Sequence, residues 1–194
     1  MRIQVTGAPT VEPVELADMK LHLRVDHTHE DDLIEAFMDA ARAYAEKVLT
    51  YRAFVTQTIE ATLDDWPGRE IHLPRPPLRD VNSITYFDED NTPDTVDLAD
   101  VFIDTASEPG KIVLNRGEEW PDTVLRPANG IVIEYEAGYG VAADVPAEFK
   151  HGLKLIVGHW YRNREAVDLQ AARGGVIQVP MGAVALFGAH KVYS

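Results

Sequence analysis

The sequence contains no cysteine among its 194 residues. This absence excludes disulfide bonds, thiolate nucleophiles, iron–sulfur clusters and cysteine-ligated zinc from any account of its function. No apolar run approaches 18 residues, so we expect no membrane-spanning helix. The segment Met1–Gly7 also lacks the apolar stretch and small-residue cleavage site of a secretory signal. These absences predict a soluble intracellular protein, or one that is assembled inside the cell.

Basic residues are few, with 18 Lys and Arg against 32 Asp and Glu and a formal net charge of −14. A protein that grips nucleic-acid phosphates needs a basic surface, so this class is disfavoured. The residues from Pro146 onward differ, since six basic residues there outnumber three acidic ones. An acidic body with a basic tail favours self-association or docking on another protein. A chance fluctuation of charge in a short segment explains the same numbers.

Helical periodicity is clear in three segments, which we predict as helices over about residues 14–24, 29–49 and 146–165. The second helix has acidic residues in its first half and basic ones later, as the helix dipole favours. Each of the two longer segments has an apolar stripe, and we expect these stripes to pack against each other. The predicted helical core consists of Leu33, Phe37, Tyr44, Leu153, Ile156 and Trp160.

Short segments rich in Val, Ile and Thr, separated by Pro and Gly turn signals, occupy about residues 53–140 and predict a β-rich insertion. The predicted class is therefore α+β, a small helical bundle interrupted by strands and followed by an extended C-terminal arm. In terms of domains, residues 1–51 and 141–168 form the helical core, residues 52–140 the insertion and residues 169–194 the arm.

Catalytic and phosphate-binding motifs of the common kinds are absent, and we predict no cofactor. His27, His29 and Asp31 are the best metal candidates, because imidazole and carboxylate groups bind zinc or manganese. They lie at one loop-to-helix junction, which is more typical of a solvated helix N-terminus. A metal-dependent hydrolase that uses these three residues remains one alternative function. A monomeric β-rich binding module is another.

The order of several segments is much more specific than any single motif. These segments are Glu12–Ala17, Leu21–Asp26, Glu30–Ile34, Ala40–Glu46, Thr56–Thr58, Leu73–Leu78, Val81–Tyr86, Gly138–Gly140, Val145–Pro146 and His159–Glu165. These short segments are spread along nearly the whole chain. In this order they resemble the head–tail connector (adaptor) family of tailed phages, of which gene transfer agents carry a similar member. The long β-rich segment is a departure, because the leanest family members lack it.

The resemblance implies a virion protein without enzymatic activity, assembled in the bacterial host cytoplasm. Family adaptors form a ring, usually twelve-fold, beneath the portal protein at the head–tail junction. The ring extends the channel through which DNA passes during packaging and ejection, and it provides the docking site for a tail-side connector or stopper. No membrane partner and no specific DNA binding are implied. An acidic body suits such a channel, since it repels phosphates.

Family adaptors hold the portal largely through a C-terminal arm. Residues from 176 onward are apolar, carry few charges and follow the Gly174–Gly175 pair, so we expect an extended arm that lodges on the portal. The alternative is a tail that folds back over its own helices. The predicted portal-binding residues are Val176, Ile177, Val179, Met181, Val184, Leu186, Phe187, Lys191 and Tyr193.

One acidic helix face is a candidate for the wall of the DNA channel. It comprises Asp31, Asp32, Glu35 and Asp39. Alternatively, these carboxylates lie on the solvated outer surface of the protein.

Overall fold

The computed structural model describes residues 1–164 and 179–192. The chain divides into two compact units. The first, called the β unit below, comprises Met1–Thr10 and Val55–Tyr139, and the second, called the helical unit, comprises Val11–Phe54 and Gly140–Tyr193. No helix among the described residues is long and apolar enough to span a membrane.

The β unit consists of two antiparallel sheets. A five-stranded sheet has the order β1-β2-β8-β4-β5, and a three-stranded sheet has the order β3-β7-β6. Strands β2 and β8 bury every second residue, because successive side chains of a strand point to opposite faces. The strands are β1 (Arg2–Gly7), β2 (Gln57–Leu63), β3 (Glu70–His72), β4 (Leu78–Phe87), β5 (Pro93–Thr95), β6 (Val101–Asp104), β7 (Lys111–Leu114) and β8 (Ile131–Ala137).

The described residues of the helical unit form four α-helices. They are α1 (Leu16–Leu23), α2 (Asp31–Tyr44), α3 (Ala147–Arg162) and α4 (Met181–Gly188), and α2 continues as a π-helical turn over Ala45–Thr50. The sequence explains where two of these helices begin. Pro146 precedes the first turn of α3, where a missing N–H costs nothing. Acidic residues in the first turn of α2 complement its positive end.

The predicted α+β class is confirmed, and α1, α2 with its π-helical turn, and α3 lie within about three residues of the predicted helices. Residues 1–10 do not belong to the helical core, to which the sequence pattern assigned residues 1–51. Strand β1 pairs with β2 and places Ile3 opposite Ala61, so residues 1–10 belong to the β unit. The pairing partner lies more than fifty residues away, where no local pattern reveals it.

The buried face of α2 is rotated by one residue from the predicted stripe. Ile34, Met38, Ala41 and Ala45 are buried, whereas Leu33, Phe37 and Tyr44 are only half-buried. Phe37 and Tyr44 instead form edge contacts with the half-buried Trp160 of α3, at ring-centroid distances of 6.5 and 6.4 Å. Of the predicted core residues on α3, Leu153 and Ile156 are buried.

The described part of the C-terminal segment is folded rather than extended. Residues 181–188 form α4, which packs against α3 and buries Ala183 and Phe187. This corrects the extended conformation for these residues and matches the fold-back alternative. The physical reason is the burial of the Phe187 ring, which is worth about 2 kcal/mol or more relative to exposure. The predicted arm residues Val176, Ile177 and Tyr193 lie outside the described residues.

We expect Ile34→Ala to lower the free energy of unfolding by about 2–4 kcal/mol, because a fully buried side chain leaves a cavity when it is truncated. The matched control is Leu33→Ala on the neighbouring, half-buried position, which should lose less than half as much. Urea unfolding of both variants measures the difference. Equal losses would show that α2 buries the stripe that contains Leu33 as fully as the stripe that contains Ile34.

Candidate interaction surfaces

Helix α4 is held by a cluster of three phenylalanine rings. Phe187 lies nearly parallel to Phe54 and Phe149, with ring centroids 6.0 and 5.9 Å away, and Phe54 and Phe149 are themselves 4.8 Å apart. Gly152 of α3 makes room for the ring, since a Cβ at this position would lie 2.6 Å from Cζ of Phe187. The surface formed by Phe54, Phe149 and Gly152 is called the notch below.

The residues after α4 are also fastened to the helical unit. The backbone N–H of Val192 donates to the carbonyl oxygen of Thr50 at 3.0 Å, and Nε of Arg52 donates to the carbonyl oxygen of His190 at 2.7 Å. The His190 ring lies edge-on to Phe149 and 3.3 Å from a carboxylate oxygen of Glu148. Residues 181–192 are therefore fixed by hydrogen bonds as well as by apolar burial.

The opposite face of α4 is exposed and apolar. Met181 is 86% exposed and Val184 is 44% exposed, and α4 carries no charged residue. These two residues, with Ala185 and Gly188, are called the outer face of α4. Such an apolar face on a helix that is already docked is suited to binding a second protein.

The other predicted portal-binding residues have mixed positions. Val179 and Leu186 are half-buried, and Lys191 is exposed, with its ammonium group 5.7 Å from the ring centroid of Tyr51. Phe187 is fully buried in the notch and is not available to a partner in this arrangement. The structure thus separates the predicted set into one anchoring ring and an accessible outer face.

The predicted channel-facing acids share one helix but not one environment. Asp32, Glu35 and Asp39 are exposed along the same face of α2. Asp31 is half-buried, and its carboxylate accepts a hydrogen bond from Nζ of Lys20 at 2.6 Å. Asp39 also contacts the guanidinium group of Arg42. Two of the four acids, Asp31 and Asp39, are thus each in contact with a basic side chain.

A buried ion network at Arg42 was not predicted from the sequence. Nε of Arg42 donates to Glu12 at 2.9 Å, and the guanidinium group also lies 3.5 Å from Glu46. Burial raises the pKa of Glu12, and the positive charge of Arg42 opposes that rise. Glu46 in turn accepts a hydrogen bond at 2.8 Å from the backbone N–H of Phe54. The network therefore fixes the position of one wall of the notch.

Glu30 connects the start of α2 with the end of α3. It accepts hydrogen bonds from Nη1 of Arg164 at 2.5 Å and from the hydroxyl group of Tyr161. Hydrogen bonds from Arg164 and then from Tyr161 lower the pKa of Glu30 to about 2. The guanidinium group of Arg164 also lies over the Tyr161 ring, 4.1 Å from its centroid.

The candidate metal residues do not converge on one point. The rings of His27 and His29 are 5.8 Å apart, and Asp31 is engaged by Lys20. Within residues 1–164 and 179–192, no group of three or more His, Asp or Glu side chains is arranged to hold a metal ion. The hydrolase alternative therefore has no geometric support from these residues.

Comparisons with known proteins give one family and one fold. The family model described as "Head completion protein" matches residues 14–184. A chain of the virion of a native gene transfer agent particle has a TM-score of 0.79 and 19% identity, with 100% of this chain and 97% of that chain covered. A chain of the neck of a native particle of this kind, computed with C12 symmetry, has a TM-score of 0.77 and 21% identity, with the same coverage. No curated protein matches the chain.

We expect Gly152→Ala to displace α4 from the notch, because the added methyl group meets the Phe187 ring. Hydrogen exchange of the amides in residues 181–188 should accelerate at least tenfold. The matched control is Gly182→Ala, whose Cβ would meet only Cδ1 of Leu155 at 3.7 Å and should stabilise α4 by up to about 1 kcal/mol. If the α4 amides of Gly152→Ala kept the same protection from hydrogen exchange, Phe187 would not depend on the space at Gly152.

The contribution of Glu30 to stability should depend on pH. Its pKa in the folded protein lies below the ordinary value of 4.5, so its stabilising effect is present above about pH 4.5 and is lost as the pH falls towards 2. We expect Glu30→Gln to lower the urea midpoint at pH 7 and to approach the parent protein at pH 2.5. Glu35→Gln, at an exposed position of α2, serves as the control. A midpoint difference that does not change with pH would contradict this role.

Proposed function

Because the chain belongs to the head completion protein family, we propose that it is a head–tail connector of a tailed phage or a gene transfer agent. The match of the family model to residues 14–184 carries this proposal and confirms the family that the sequence resembles. The shared fold with chains of gene transfer agent virions and necks, over the whole length of this chain, supports it.

In the proposed role the protein forms a twelve-membered ring beneath the portal protein. One solved neck with this fold was computed with C12 symmetry and another with C6 symmetry, and both fit a twelve-membered ring. The ring extends the DNA channel, binds the portal on one side and offers a docking site to a tail-side connector or stopper on the other. The protein is assembled in the host cytoplasm and resides in the virion.

The outer face of α4 is the proposed portal-binding surface. It is apolar and uncharged, and it lies on a helix whose other side is already fixed by Phe187 in the notch. A docked helix loses little further conformational freedom when it binds, which favours affinity. Phe187 then acts as an anchor to the chain's own helical unit, and Met181 and Val184 contact the portal.

The exposed acids of α2 are proposed to face the channel. Asp32, Glu35 and Asp39 lie on one side of the helix, where their charges would repel the phosphates of passing DNA. Repulsion of this kind lets DNA slide without being captured. No specific contact with bases is needed.

We expect electron microscopy of the protein mixed with purified portal to show a ring on the portal. The variant Met181→Asp with Val184→Asp should bind the portal at least tenfold more weakly, because two charges enter an apolar contact. Its free energy of unfolding should change by less than about 1 kcal/mol, since both side chains are exposed. The control is Leu21→Asp, an exposed apolar position on α1.

Two results would contradict this assignment. If no ring forms on the portal with the unmodified chain, the connector role is wrong. If the ring forms and the double variant binds the portal as tightly as the Leu21→Asp control, the portal contacts a different surface.

A further inference from the structure

Strand β1 is an open edge of the five-stranded sheet. Among the described residues it pairs only with β2, so one side of its six-residue backbone has no strand partner. Ile3 and Val5 point to the same face as the buried Ala61 and Ile59, yet Ile3 is half-buried and Val5 is 37% exposed. The strand has no proline or lysine, which are common means of protecting an edge.

Two of the other edges are short. Strands β3 and β5 have three residues each, and β5 begins with Pro93, which has no N–H to donate. Both features discourage pairing with another chain.

The remaining edge, β6, is four residues long and carries an exposed aromatic ring. Val101 and Ile103 lie opposite the buried Leu114 and Ile112 of β7 and so face the interior. Phe102 and Asp104 face outward, and Phe102 is 61% exposed. Phe102 therefore adds exposed apolar surface to an unpaired edge, which a strand of another chain can cover.

We propose that β1 of one copy pairs with β6 of the neighbouring copy, antiparallel, with Arg2 opposite Asp104 and Gln4 opposite Phe102. The inference rests on the proposed function, because it assigns the contact between adjacent members of the connector ring. In this register Ile3 lies opposite Ile103 and Val5 opposite Val101, so both strands turn their apolar residues to the same side. All four residues of β6 are paired.

Charge selects this register. Arg2 is the only charged residue of β1, and Asp104 is the only charged residue of β6. Hydrogen bonds from the hydroxyl group and backbone N–H of Ser107, at 2.6 and 3.1 Å, lower the pKa of Asp104 and keep its carboxylate charged. Opposite charges at directly opposed positions of a sheet stabilise the pair, whereas a shift by two residues separates them.

The pairing also has the symmetry that a ring requires. It joins two different edges of the same unit, so each copy can contact one neighbour through β1 and another through β6. Such head-to-tail contacts build closed rings when the rotation between copies closes. Pairing of β1 with β1 would instead end at a dimer and leave Phe102 exposed.

Because the chain has no cysteine, a disulfide can report the pairing directly. We would assemble the variant Gln4→Cys with Phe102→Cys on purified portal and oxidise it. Directly opposed residues of an antiparallel pair have Cβ atoms about 4.5–5.5 Å apart, close enough for a disulfide after a small adjustment. A non-reducing gel should show a ladder of covalent oligomers that extends beyond the dimer.

Three control variants make the result specific. Gln4→Cys alone and Phe102→Cys alone should give no ladder, and Gln4→Cys with Asp94→Cys places the second thiol on the β5 edge and should give none either. As an independent measurement, Arg2→Glu should weaken ring assembly about tenfold. Its matched control, Arg116→Glu, changes another exposed arginine of the β unit and should leave assembly unchanged.

The outcomes separate this inference from the connector role. A ring on the portal without a ladder in the double variant, together with normal assembly of Arg2→Glu, would overturn the strand pairing and leave the connector role standing. Abundant dimers from Gln4→Cys alone would assign the edge to β1–β1 pairing instead. If the unmodified chain forms no ring, both proposals fall.

Discussion

The helical unit depends on the packing of Phe187 against Phe54 and against Phe149 and Gly152 of α3. An eight-residue helix without charged residues is too short to be stable by itself in water. It persists because one face is buried against the notch, where Gly152 leaves space for an aromatic ring. The same contact determines what α4 can offer to a partner. With Phe187 used internally, only the outer face of the helix remains accessible.

The notch in turn depends on a buried charge network. Phe54 is positioned by the hydrogen bond from its backbone N–H to Glu46, and Glu46 is tolerated in the interior because Arg42 lies beside it. Arg42 also binds Glu12, which fixes the segment before α1. A buried ion pair of this type contributes little net stability, but removal of one partner leaves an uncompensated charge and is costly. The network therefore acts mainly to hold three segments of the helical unit in one arrangement.

Local patterns revealed the helices but could not choose the face that α2 buries. Apolar residues occur in adjacent pairs, Leu33 with Ile34 and Phe37 with Met38, so two neighbouring stripes have the same period. Packing in the folded protein selects the second stripe. The position of α4 was likewise hidden, because it requires Phe187 to meet Gly152, thirty-five residues earlier in the sequence. The i, i+4 spacing of Arg42 and Glu46 was visible, but Glu12 joins them from thirty residues away.

The distribution of charge decides which surfaces can associate. The β unit holds eighteen acidic and seven basic residues over residues 1–10 and 55–139, so copies of this unit repel one another at most of their surface. Strand β1 is an exception, since its single charge is positive and its edge is unprotected. The outer face of α4 is another, since it has no charge at all. An acidic protein with two such exceptions is restricted to a few defined contacts. This restriction is what a subunit requires if it must bind its neighbours in one register while it lets DNA pass without binding it.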